Sequence, residues 1–213
     1  MNLDTKKQVY EDLLSFQITR LRGTYADFVV DDELSRITDY FFSQIYSTAD
    51  KRKRDDAFNK IYSKMVNTIG YKAAYRATQL KDLNEITDTL DNAMVKLHQE
   101  SFSNDKITTE SYEICYGHES LQDTRQAQIE LLVETTRFFH KLAHFPMIQL
   151  VIKPTKLAAK ALGVEHIMSF FMEGYDAFRS VKDASPFFNA MQEREFSYLR
   201  MCRERNLSYE KKS

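Results

Sequence analysis

The sequence predicts an all-α fold, a single-domain multi-helix bundle of about eight or nine helices, and three observations carry that expectation. Glycine and proline are scarce, five and three in 213 residues, so the tight turns that strand hairpins need are in short supply. Apolar residues recur at three- and four-residue spacing rather than in alternation. The breaks between those runs carry the residue types that start and stop helices.

Taken in order, Val9, Leu13, Phe16 and Ile18 with Leu21 mark an N-terminal helix over residues 1–22, at the periphery of the bundle. Leu34, Ile37, Phe41 and Ile45 mark a second near 33–46, with Asp31 and Asp32 placed to cap it. Phe58, Ile61, Tyr62, Met65 and Ile69 mark a third, capped by Asp50. The Leu83, Ile86, Leu90, Met94, Leu97 stripe belongs to a long helix that starts near Tyr71 and ends at Ser103-Asn104-Asp105. Gly117 parts a short segment from a helix of roughly 120–144. Pro146 and Pro154 suit the first turns of two short helices, and Gly163 suits a C-terminal cap before a helix over 164–180. Pro186 opens the last helix, roughly 186–205, with residues 206–213 as a frayed tail.

Composition narrows the function classes. Thirty basic residues against 31 acidic ones leave a net charge of -1, so no global field draws the chain to nucleic acid or an anionic membrane. No window approaches the length of apolar residues that a membrane span needs, and the charged N-terminus lacks the apolar stretch of a secretory signal. Cys115 and Cys202 form no metal-ligand spacing, which suits a reducing cytoplasm. The expectation is a cytoplasmic protein with no nucleic-acid or membrane partner.

Three charged residues fall where apolar ones belong. In the last helix the stripe Phe188, Met191, Tyr198, Leu199, Cys202 has Glu195 near its centre. In the helix near 120–144 the stripe Ile129, Leu132, Val133, Thr136, Phe139, Ala143 runs back to Arg125. Arg54 projects beside Phe58 and Ile61, with Asp55 next to it. A buried charge without a partner is costly, so these residues imply one another or a ligand. With Thr87 and Asp91 on and beside the Leu83 stripe, the expected network draws on Arg54, Asp55, Asp91, Arg125, Gln128, Arg194 and Glu195, with Arg125 pairing Glu195 first and Asp91 or Asp55 second. Glu173 is different. It stands out in the string FFMEGYDAF, yet on a helical wheel it lies roughly 140° from the arc of Ile167, Phe171, Gly174 and Phe178 and shares its side with His166 and Ala177.

The ordered segments TYADF (24–28), FFSQIY (41–46), RDDAF (54–58), ITDTLD (86–91), RQAQI (125–129), FFMEGYDAF (170–178) and REF (194–196) together resemble the uncharacterised bacterial FFLEE-motif proteins, over about Leu21 to Arg205. The resemblance brings no activity with it. It does fall on Arg54, Asp55, Asp91, Arg125, Gln128, Glu173, Arg194 and Glu195, which makes Glu173 a further candidate site residue. Where that family has acids after the first Phe pair, this chain has Ser43 and Gln44.

Assembled catalytic chemistry is missing from the string. Glu-x-x-His, which a carboxylate-bridged di-iron bundle requires on two helices, does not occur. His140 and His144 supply two metal ligands at i and i+4 and no evident third, so no metal or cofactor is expected. KRKR at 51–54 runs straight into Asp55 and Asp56, the pattern of a solvated face. Lys153, Lys156 and Lys160 form a second basic strip. There is no GxSxG elbow and no glycine-rich phosphate loop. The leading expectation is a non-catalytic protein acting through a protein partner or as a homo-oligomer. The alternative is an anionic-ligand-binding protein or enzyme with a pocket centred on Arg125.

Overall fold

The computed structural model describes residues 3–41, 71–102, 106–146, 160 and 165–212. Among them are eight α-helices, one 3₁₀ turn and no strand, so the chain is all-α. The helices are α1 (Leu3–Thr24), α2 (Ala26–Val29), α3 (Ser35–Tyr40), α4 (Tyr71–Phe102), α5 (Thr109–Tyr116), α6 (Gln122–Ala143), α7 (Glu165–Ser180) and α8 (Ser185–Glu210), with the 3₁₀ turn at Glu119–Leu121 before α6. No described helix is long and apolar enough to cross a membrane. The expected helix near 51–69, with Arg54 and Asp55, lies outside the described residues.

Local chemistry accounts for the ends. The Asp31 carboxylate accepts the backbone N–H groups of Glu33 and Leu34 at 2.9 and 2.7 Å and so fixes the turn ahead of α3, but it does not cap the helix as expected: α3 opens later, at Ser35, and its cap position is Leu34, with no side-chain capping bond. Thr108 and Ser111 form a reciprocal capping box at the start of α5. Gly117 closes α5 for a reason of space. A Cβ there would run into the Cys202 backbone and lie 2.6 Å from the Arg203 nitrogen.

The packing divides into two compact units, each built from separated stretches of chain. The first comprises Met1–Thr24, Asp82–Val133 and Asn189–Ser213, the second Tyr25–Lys81 and Glu134–Phe188. In the first, Val9, Leu13, Leu90, Met94, Tyr112, Ile129 and Leu199 belong to one core cluster. α1 therefore contributes to the core of this unit and is not peripheral, because Val9, Leu13 and Leu21 recur at helical spacing on one face and all three are buried. α8 also outruns its expected end at residue 205. Asn206 is buried and donates from Nδ2 to the Ile114 carbonyl at 3.1 Å, while Arg205 pairs with the buried Glu113 carboxylate. Two contacts to α5 thus hold the turn that had been expected to fray.

In the second unit, Phe187 is fully buried and meets Tyr25, Phe28 and Phe41 with ring centroids 5.5–6.0 Å apart. α3 packs on α7, and the space a Cβ would need at Gly174 is taken by the end of the Tyr40 ring, 2.6 Å away. That contact explains the glycine within FFMEGYDAF. The end of α6 is clasped twice: His140 Nε2 donates to the Val181 carbonyl at 2.9 Å, and Arg179 donates to the Ala143 carbonyl at 3.0 Å. Ala177, expected beside the exposed Glu173, is buried instead, so the apolar arc of α7 is broader than the wheel suggested.

Candidate functional site

The first unit holds a network of buried and half-buried side chains, nearly all of them polar. α1 contributes Gln17 and Arg20, α4 Thr87, Asp91 and Met94, α5 Tyr112 and Tyr116, α6 Arg125 and Gln128, and α8 Glu195 and Tyr198. Arg125, Asp91 and Glu195 are only 3%, 1% and 4% exposed. The wheel placed Arg125 and Glu195 on apolar stripes, and burial of that degree is what the placement implies.

The pairing differs from the expected one. Glu195 accepts Arg20 Nη1 on both carboxylate oxygens, at 2.8 and 2.7 Å, and the two side chains are 12% and 5% exposed. Arg125 does not pair with Glu195, because that acid is engaged from α1 and the Arg125 guanidinium is held elsewhere. Its Cζ lies 4.1 Å from the Tyr116 ring centroid. Nη1 donates to Gln128 Oε1 at 2.8 Å, and Nη2 donates to Met94 Sδ at 3.0 Å. Gln128 passes the link on, donating to Thr87 Oγ1 at 2.8 Å. Among the described residues Arg125 has only neutral partners, and its Nε is buried without an acceptor.

Asp91, the second expected partner, accepts Gln17 Nε2 at 2.9 Å. Arg194 donates to the Thr24 carbonyl at 2.6 Å and so satisfies an open acceptor at the end of α1. Glu173 is exposed and accepts from Ser169 Oγ at 3.1 Å; it belongs to the second unit, apart from this network. Asp55 and Arg54 lie outside the described residues.

Arg20, Gln17 and the tyrosines escaped the sequence reading, although a signal was there for α1. Gln17 continues the four-residue series Val9, Leu13, Leu21, and Arg20 lies roughly 20° from Leu13 on the helical projection. Both occupy the face that the apolar stripe buries.

Electrostatics favour charge on Arg20 and protons on the phenols. Burial is the largest influence on Arg20 and works against its charge, but Glu195 together with Tyr112 and Tyr116 more than offsets it, and the guanidinium pKa is raised well above its ordinary value. Burial pushes Tyr116 up to about 12 even with Arg125 and Arg20 pulling the other way. Tyr112 and Tyr198 are raised further for the same leading reason. Cys115 and Cys202, both buried, are also pushed up to about 12 by desolvation. Thiols and phenols in this state are poor nucleophiles at neutral pH.

Arg20, Arg125, Asp91 and Glu195 thus share one site with protonated phenols and thiols around them. Among the described residues no group of three or more His, Cys, Asp or Glu side chains could hold a metal ion. A family model described as a domain of unknown function (DUF8198) matches residues 2–207. No curated protein matches the chain, and no solved structure does.

Proposed function

The chain belongs to the family of that domain of unknown function, and from this premise we propose that it is a non-catalytic cytoplasmic helical protein that acts by self-association or by binding another protein. One observation carries the reading. The network's polar groups are directed at one another, Arg20 to Glu195, Gln17 to Asp91 and Arg125 through Gln128 to Thr87, so their role is to hold α1, α4, α6 and α8 in register and to leave contact with other molecules to the outer surface. Val29 and Val30 are 38% and 81% exposed, and Phe145 is 54% exposed, apolar area suited to a protein contact. Free, buried, protonated thiols accord with a reducing cytoplasm. The resemblance to the bacterial FFLEE-motif proteins agrees with a protein that carries no assembled catalytic motif.

Light scattering across a concentration series, with affinity capture from native lysate, tests this. Association above the 25.1 kDa chain mass, lost in a Val30→Asp/Phe145→Asp variant whose melting temperature is unchanged, is the expected outcome. A strict monomer that captures nothing speaks against it.

A second reading is favoured by one feature, the buried Arg125 without a carboxylate. A guanidinium with free donor capacity is suited to bind a carboxylate or phosphate bidentately, which makes Arg125 the anchor of an anionic-ligand site. Under that reading phosphate or a small carboxylate raises the melting temperature of the wild type and not of Arg125→Met. Equal responses remove it.

A further inference from the structure

We propose that His140 and His144 form a two-imidazole site for a borderline divalent cation such as Zn²⁺, Ni²⁺ or Cu²⁺ at the C-terminal end of α6. The proposal concerns the second unit and stands apart from the network around Arg125. Residues four apart on a helix share a face, and here the two ring centroids are 4.5 Å apart with planes at 47°. With metal–nitrogen bonds of about 2.0 Å, two imidazoles bound to one ion at a right angle have centroids about 4.5 Å apart. The centroid separation therefore fits a shared ion bound at a right angle and is somewhat short of the about 5.1 Å that the tetrahedral angle gives.

Their hydrogen bonds prepare the nitrogens. His140 Nε2 lies 2.9 Å from the Val181 carbonyl and His144 Nδ1 lies 3.0 Å from the His140 carbonyl. A carbonyl oxygen only accepts, so His140 carries its proton on Nε2 and His144 on Nδ1. In the neutral rings that leaves lone pairs on His140 Nδ1 and His144 Nε2. A ligand imidazole whose other N–H is anchored on a backbone carbonyl is the usual arrangement of metal-binding histidine. Edge-on contacts from Phe178 and Phe188, at 6.5 and 5.6 Å, further fix the His140 ring.

The charges around the pair are mixed. The negative end of the helix dipole favours a cation, as does Asp183, which senses the His140 ring from the link before α8. Arg179, bonded to the Ala143 carbonyl, opposes it. Among the described residues no group of three or more His, Cys, Asp or Glu side chains completes the set, so two nitrogens leave coordination positions for other donors, water included.

Calorimetric titration of the full chain with ZnCl₂ or NiCl₂ at pH 7.5 is expected to show one saturable site per chain. Binding weakens at pH 5.5, where protons compete for the ring nitrogens, and is lost in His144→Gln, a change that keeps an N–H for the His140 carbonyl. Cu²⁺ added to the wild type gives an electron paramagnetic resonance spectrum with two nitrogen donors. No saturable binding by the wild type, undiminished binding by His144→Gln, or a copper spectrum with fewer than two nitrogens overturns the proposal; the copper spectrum decides it even where the variant does not fold.

Discussion

Glu195→Ala is expected to destabilise the protein by about 3–5 kcal/mol, the usual effect of stranding one member of a buried ion pair, seen as a fall in melting temperature of roughly 10 °C. The stranded group is Arg20, whose Nη1 meets both Glu195 oxygens and whose side chain is 12% exposed. Its remaining neighbours among the described residues include the Tyr198 and Tyr116 rings, 4.5 and 6.0 Å away, whose faces offer cation–π contacts in place of a carboxylate. Arg20→Met paired with Glu195→Leu removes both charges and keeps most of the volume, so the double variant recovers much of the loss. Thermal and urea melts of the two single variants and the double variant measure the coupling. Strictly additive losses would show that the two residues act independently. The same cycle run with Arg125 and Glu195 is expected to come out close to additive, because Arg125 bonds Gln128 and Met94 instead.

Gly117→Ala is the second change with a large effect, about 3 kcal/mol of destabilisation from overpacking. The added methyl meets the backbone of Cys202 and Arg203, and a backbone inside α8 yields only if the helix moves as a body. Gly174→Ala provides the contrast. Its methyl meets the end of the Tyr40 ring, a side chain that can turn aside, and alanine is favoured over glycine within a helix by about 1 kcal/mol. The two melts are expected to differ widely, with Gly174→Ala within about 1 kcal/mol of the wild type. A mild Gly117→Ala would mean that α5 and α8 do not approach as closely as the structure has them.

What the sequence by itself determined is the helical state of the described residues and the apolar stripe on most of their long helices. Scarce glycine and proline, three- and four-residue spacing and turn-fixing residues such as Asp31 are local properties, each governed by a few neighbouring residues, so they can be read from the string. The same local geometry put Arg125 and Glu195 on buried stripes, and they are buried. Read on α1, it would have put Gln17 and Arg20 there as well.

Only the tertiary structure decided which buried groups meet. A helical wheel assigns each side chain an angle about its own axis and says nothing of the helix that faces it. Glu195 had more than one cation to choose from, and the choice fell to Arg20 because α1 and α8 pack so that one Nη reaches both oxygens. Arg125, equally buried, lies against Tyr116 with neutral acceptors. Gly117 and Gly174 make the same point in steric form. Both read as glycines in or beside a helix, yet one leaves space for the backbone of α8 and the other for the ring of Tyr40, and only the packed neighbour tells them apart.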